Sequence, residues 1–238
     1  MRSLIRGRFT LRVAAGGADM DRALDLRTRA FGLARRDGDD FDARCIHVLV
    51  EDGADLVACY RLLALSPDRI GESYAARFYD LTALRRFHGP LMEMGRFCIA
   101  PERHDPDILR MAWGGVAAAV DDTGAQMLCG CSSFRGTDPA PYADAFGLLR
   151  QAHLAPGEWR PARASARIHP YAAQVHTPDL RNAMKTMPPL LRSYLMMGGW
   201  VSDHAVIDPH MNTLHVFTGL EIAAIPPGRA KLLRALSA

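Results

Sequence analysis

At 238 residues the chain is long enough for one sizeable hydrophobic core, or at most two tightly packed lobes. With 49% hydrophobic and 23% charged residues it has an ordinary globular composition, and a net charge of +3 is too small to mark a nucleic-acid binder. That mild basic bias is compatible with an acidic protein partner or an anionic membrane surface.

The elements read as follows in chain order. Phe9, Leu11 and Val13 alternate with polar residues, which predicts a half-buried strand over 7–13. After Gly16-Gly17, Asp19 is the expected N-cap of a helix running to about Ala34. Strands are expected at 45–50 and 56–65, joined by a hairpin turn over 51–55. Residues 66–87 predict short helices, and 91–99 a strand. Asp105 (N-cap) and Pro106 (first turn) open a helix whose apolar positions Ile108, Leu109, Ala112, Trp113, Val116, Ala119 and Val120 follow helical spacing. A strand at 126–132 and a helix at 140–153 come next, then a long Pro- and Arg-rich connection over 155–181 with one strand at most. A short helix from Pro188-Pro189 to Met197, strands near 200–207 and 215–222, and a basic helical tail over 226–238 complete the chain. Interleaved helices and strands with an early hairpin point to a single α/β domain over 1–238 whose sheet is mixed rather than purely parallel.

Several absences bear on class. Five cysteines (Cys45, Cys59, Cys98, Cys129 and Cys131) are an odd number in apolar settings, so a disulfide framework is not expected and a reducing compartment is. Cys129-x-Cys131 lacks metal-ligand spacing and the nine histidines form no ligand motif, so neither a metal nor a permanently bound cofactor is expected. No apolar run reaches the roughly 20 residues of a membrane span, and the N-terminus carries no secretory h-region. A cytoplasmic protein is the expectation.

Three places hold charge where apolar residues would be expected. Met20, Leu24, Arg27 and Phe31 share a helical face, so Arg27 either snorkels from the stripe edge or meets an inward anion, for which Asp39 and Asp42 are available. In the 91–99 strand, Glu93 and Arg96 point to opposite faces unless a bulge at Gly95 re-aims one of them. Arg61 adds a second cation in the apolar 56–65 strand, and a buried ion pair is the plain alternative to a functional role. Arg103 and His104, with the free amides of the following helix, make an anion site or an ordinary polar cap.

Strand, basic loop and helix in this order suit the grip on a pantetheine phosphate, and here the string Glu93-Met-Gly-Arg-Phe-Cys-Ile-Ala-Pro-Glu-Arg103 resembles the E-x-G-R-x-C-V motif of the ornithine lipid N-acyltransferases. Leu26-Arg-Thr-Arg-Ala-Phe31, Asp39 to Asp42, Cys45-x-His47, Tyr60-Arg-Leu-Leu63, Gly130-Cys-Ser-Ser-Phe-x-Gly136, Met187-Pro-Pro-Leu-Leu-Arg-Ser-Tyr194 and Val206-Ile-Asp208 resemble the family in the same order, over about residues 20–222. That family is similar to the GNAT acyltransferases and the acyl-homoserine-lactone synthases, which implies a GNAT-like, mostly antiparallel central sheet flanked by helices. The synthases share the early arginine, the D-x-x-D pair, the R-L-L strand and the E-x-x-R-F strand, positions held here by Arg27, Asp39, Asp42, Arg61, Glu93 and Arg96.

The resemblance implies transfer of a 3-hydroxyacyl group from acyl carrier protein, the phosphopantetheine thioester serving as co-substrate, to the α-amine of ornithine, giving lyso-ornithine lipid. Glu93 would be the general base and Arg96 its catalytic companion, with backbone amides near 95–97 holding the oxyanion. Arg27, Asp39, Asp42 and Arg61 would shape the amino-acid pocket, Arg103 and His104 would contact the phosphopantetheine, and Ser132, Ser133 and Phe134 would line the acyl tunnel. Two stretches depart from the family. K-G-Y-x-R reads Arg192-Ser-Tyr-Leu-Met196, and F-N-x-x-D-V reads Met211-Asn-Thr-Leu-His-Val216. Glutamine or another amino acid as acceptor, a homoserine-lactone synthase, and a non-catalytic carrier-protein or lipid-binding module therefore stand as alternatives. The basic residues Arg160, Arg163, Arg167, Arg229, Lys231 and Arg234 suit the carrier protein, peripheral contact with the inner membrane, or a solvated face.

Overall fold

A computed structural model describes residues 1–237. In chain order it contains β1 (Leu4–Arg6), β2 (Phe9–Val13), α1 (Gly17–Phe31), β3 (Ile46–Asp52), β4 (Asp55–Leu65), β5 (Tyr79–Asp80), β6 (Leu91–Ile99), α2 (Pro106–Thr123), β7 (Met127–Arg135), α3 (Ala143–Ala152), β8 (Ala162–Arg163) and β9 (Ile168–His169). These are followed by α4 (Leu180–Thr186), α5 (Pro189–Met196), β10 (Trp200–Val201), β11 (Ala205–Asp208), β12 (Thr213–Glu221) and α6 (Pro227–Ser237). The architecture is mixed α/β with mostly antiparallel strands flanked by helices, as the early hairpin predicts.

The chain divides into two compact units. The first comprises 1–64, 92–125 and 226–238. Its strands run in the order β1-β2-β3-β4-β6, with β1, β2, β3 and β4 paired antiparallel. Period-two alternation separates the faces. Leu49, Cys59 and Cys98 pack with Ala23 and Leu26 of α1, while Tyr60 and Leu11 turn toward α2. There the Tyr60 hydroxyl donates to the Ala112 carbonyl at 3.1 Å, and Gly115 leaves no room for a Cβ against Tyr60 and Leu11. The basic tail forms α6 and lies on α2, where its Leu236 backbone sits over Gly114.

Asp105 caps α2 as expected, its carboxylate accepting from the Asp107 amide at 2.9 Å and from Arg8 at 2.8 Å. Asp105→Ala should cost about 1 kcal/mol and lower Tm by about 2–4 °C, measured by thermal unfolding.

The expected cap of α1 is corrected. Gly16 holds the N-cap position, and Asp19 lies inside the first turn, accepting from the Ala15 amide at 2.7 Å and from Arg12 at 2.8 Å. The Gly32 C-cap, at φ 65°, ends the helix three residues before the expected end.

The second unit comprises 65–91 and 126–225. Its strands run β7-β12-β11-β9, with β10 also paired to β12 and β5 to β8. One face packs Phe134, Leu214 and Val216 against Phe146 and Leu149 of α3 and Leu191 of α5. The segment 66–87 folds as three short 3-10 turns around β5. The connection over 155–181 holds two short strands where at most one was expected, and α4 follows unanticipated. The single strand expected near 200–207 is broken at Ser202, whose hydroxyl donates to the His204 carbonyl at 2.7 Å and accepts from the Phe217 amide at 3.1 Å. Among the described residues no helix is long and apolar enough to cross a membrane.

Candidate active site

The first unit gathers the charged residues singled out above. Arg27 is 1% exposed, so it is an inward arginine rather than a snorkelling one. The buried face of α1 is Asp19, Ala23, Leu26 and Arg27, rotated from the predicted stripe. Arg27 Nε donates to Asp37 at 2.6 Å and its Nη1 to Asp42 at 2.7 Å. Arg61 donates to Asp39 at 2.6 and 2.9 Å and to Asp42 at 2.6 Å. Arg96 closes the figure, reaching Asp37 at 3.1 Å and Asp39 at 3.0 Å. Three guanidiniums and three carboxylates thus alternate around a ring: Arg27, Asp37, Arg96, Asp39, Arg61, Asp42.

The backbone explains how Arg96 gets there. Glu93 and Arg96 would face apart in a regular strand, and the expected bulge was placed at Gly95. The left-handed residue is Arg96 itself, at φ 54°. A non-glycine residue in that region costs on the order of 1–3 kcal/mol, and the two carboxylates it meets offset the cost. Gly95 lies beside Arg61, where a Cβ would make only ordinary contact with Nε at 3.5 Å.

Burial raises the carboxyls of Asp39 and Asp42, but their arginines outweigh it, holding Asp39 below its usual range and Asp42 at about 2. Arg61 is lowered by burial and raised more by Asp39 and Asp42, so it stays charged. His47 pairs in register with Arg61, and its Nε2 lies 2.9 Å from the Asp42 carbonyl; burial pushes its pKa down and keeps it neutral.

Glu93 is 4% exposed. Its carboxylate acts on Cys45, whose thiol is pushed up to about 11 by burial first, with Glu93, Asp42 and Asp39 adding to it against Arg61. Glu93 and the ring therefore share one electrostatic neighbourhood. Cys98 is unsuited to nucleophilic attack. Its contact with Cys59, 3.6 Å between sulfurs, and its burial raise its pKa well above the ordinary value.

All six residues suggested by the resemblance lie in this unit, five of them in the ring. Arg27 and Arg61 are buried and committed to aspartates, which makes them positioning residues for the 37–42 loop. Asp37 was not anticipated. Its signal was its place ten residues after Arg27, beyond the Gly32 cap, where the chain turns back and the Asp37 amide donates to Thr28 Oγ1 at 2.9 Å.

Arg103 and His104, expected to contact the phosphopantetheine, stand just before α2. Arg103 donates to Asp52 at 3.2 Å and Asp55 at 2.6 Å, while His104 is exposed.

Ser132, Ser133 and Phe134 belong to the second unit, on β7. Ser132 Oγ accepts from Thr218 Oγ1 at 2.9 Å, and Phe134 packs on Phe146 and Tyr142. Ser133 turns to the opposite face and is exposed, so the three do not line one wall. Of the two departures, Met196 lies on the surface and His215 is buried.

A family model described as an acetyltransferase (GNAT) domain matches residues 24–114. An L-ornithine N(alpha)-acyltransferase of Rhodobacter capsulatus is 35% identical over 202 residues, covering 80% of this chain and 76% of the relative. One of Brucella abortus is 31% identical over 245 residues, covering 92% and 86%. Among solved structures, an N-acyl amino acid synthase from uncultured soil microbes aligns with a TM-score of 0.47 at 13% identity, covering 91% of this chain and 93% of that one. The two relatives carry the assignment: the chain is an acyltransferase and belongs to the L-ornithine N(alpha)-acyltransferase family.

Proposed function

We propose that the protein transfers a 3-hydroxyacyl group from acyl carrier protein to the α-amine of L-ornithine, forming lyso-ornithine lipid in the cytoplasm. The names of the relatives support the acceptor. The chemistry is carried by one observation: a buried carboxylate, Glu93, on the strand that also brings Arg96 into the charged ring. An amino-acid amine is mostly protonated at pH 7 and attacks a thioester only as the free base, so a positioned carboxylate that takes the proton, directly or through water, supplies the missing step. The developing oxyanion is held by backbone amides near 95–97, each donor contributing on the order of 3 kcal/mol. The ring, already neutral within itself, keeps β4, β6 and the 37–42 loop in register while the charge moves.

The test supplies 3-hydroxyacyl carrier protein with a mixture of ornithine, glutamine, lysine and S-adenosylmethionine, and reads the products by mass spectrometry. N-acyl-ornithine is the expected product. N-acyl-glutamine instead would change the acceptor to a neutral side chain, and no product from any acceptor, with the carrier protein still bound, would leave only a binding module.

A further inference from the structure

The second unit carries an exposed apolar surface that the acyl-transfer chemistry does not use. Among the described residues its exposed large hydrophobics are Val175, Leu180, Met184 and Met196, all within 175–196, whereas Ile5, Ile46 and Leu232 belong to the first unit. Leu180 and Met184 lie one turn apart on one face of α4, and Arg181 and Lys185 form the adjacent row. Arg192 on α5 ties the two helices together, its Nη1 donating to the Met184 carbonyl at 3.2 Å. Met196 follows Arg192 by one turn on the same face of α5, so apolar and basic side chains form one patch.

The segment is held in place although it faces water. Asp144 on α3 accepts from His176 at 2.7 Å, from Asn182 Nδ2 at 2.6 Å and from the Asp179 amide at 3.0 Å. A Cβ on Gly147 of α3 would meet His176 at 2.9 Å and Pro178 at 3.2 Å, so the chain lies close on that helix. Asp179 caps α4, accepting from the Arg181 and Asn182 amides. Both acids at this end are therefore committed to the fold, and no acid occurs from Leu180 to Ser202. Val175 and Leu180, at 94% and 60% exposure, protrude from this fixed segment. Protruding apolar side chains beside a basic row match the interface of an anionic bilayer. A fluid interface receives each side chain separately, and lipid phosphates complement Arg181, Lys185 and Arg192.

We propose that the α4–α5 face seats the protein on an anionic lipid bilayer, Leu180, Met184 and Met196 entering the headgroup region and Arg181, Lys185 and Arg192 meeting lipid phosphates. The acyl-transfer reading supplies the use of such a contact, delivery of a single-chain lipid product, but the contact itself does not depend on it. The test is co-sedimentation of the full chain with vesicles of equal parts phosphatidylglycerol and phosphatidylcholine. The native protein should pellet with these, far less with phosphatidylcholine alone, and less as salt is raised. Arg181→Gln/Lys185→Gln should weaken partitioning roughly 30-fold, about fivefold for each basic residue. Leu180→Ser/Met184→Ser should weaken it about tenfold or more, in proportion to the apolar area withdrawn. Ile5→Ser/Leu232→Ser, exposed on the first unit, is the matched control and should bind as the native protein does. All of these side chains are exposed, and thermal unfolding checks that each variant is folded. Native binding that neither α4 variant weakens, or no native binding to the mixed vesicles, would overturn the inference. So would a dimer that Leu180→Ser/Met184→Ser dissolves in place of vesicle binding, which would give the face to a second copy. A raised KM for acyl carrier protein in Arg181→Gln/Lys185→Gln, with vesicle binding intact, would give it to the carrier protein instead. Sedimentation needs no turnover, so a protein that binds vesicles but acylates no amine would sink the acyl-transfer reading and keep this one.

Discussion

Glu93→Gln should leave the protein folded and lower kcat by about 100- to 10,000-fold, the range over which a positioned general base accelerates proton transfer. The substitution keeps the shape of the side chain and removes its basicity, so the KM for the amino acid should change little by comparison. The pH profile separates this from a loss of packing. Without an internal base the variant depends on amine that has already lost its proton in solution, so its rate should rise about tenfold per pH unit until the amine is mostly neutral, whereas the native rate levels off earlier. The measurement is the initial rate of N-acyl product formation between pH 6 and 9, with unfolding followed in parallel. A loss under threefold across that range would remove Glu93 from the chemistry. A neutral His47, held beside Asp42 in the same unit, would then be the next base to examine.

Which parts of the molecule were legible beforehand follows from which forces are local. Asp105-Pro106 announces α2 because both residues act within one turn. The alternation of β2 and the 51–55 turn between β3 and β4 are likewise local, and their boundaries fall within a residue or two of expectation. Arg27, Arg61 and Arg96 stood out because charge in an apolar element needs a reason, but the reason is tertiary. Asp37 lies in a polar loop where aspartate is commonplace, and only the turn after Gly32 shows that it bridges Arg27 and Arg96. The bulge was expected at the glycine because glycine tolerates positive φ; the left-handed residue is instead Arg96, which carries the ion pairs. Asp19 reads as a cap by sequence order, yet Arg12 on β2 claims it. Ser133 was grouped with Ser132 and Phe134 through the family resemblance, although adjacent strand residues face apart.

The ring itself makes the other large prediction. Removing one partner of a buried ion pair leaves an uncompensated charge and costs about 3–5 kcal/mol, more than the pair contributes over a well-packed apolar replacement. Arg61→Met takes the shared cation from Asp39 and Asp42 while keeping much of its volume. At roughly 2–4 °C per kcal/mol for a chain of this size, Tm should fall by about 10 °C. Arg61→Met/Asp39→Asn should recover part of the loss, because it removes a charge left without its closest partner, and Asp42 keeps Arg27 in both variants. The pH dependence follows with its sign. Asp42 is held at about 2 when folded, against roughly 3.9 in an unfolded chain, so its contribution is full above about pH 4 and disappears as pH falls through 2. With Arg61 gone, burial is opposed by Arg27 and the Asp39 amide, and the folded carboxyl moves up, so the acid-induced loss of stability shrinks in size even as the variant starts from a lower plateau. Thermal unfolding from pH 7 to pH 2 reads both effects. A variant within 1 kcal/mol of the native protein would mean that the 37–42 loop is held by its apolar anchor, the buried Phe41, and not by the alternating charges.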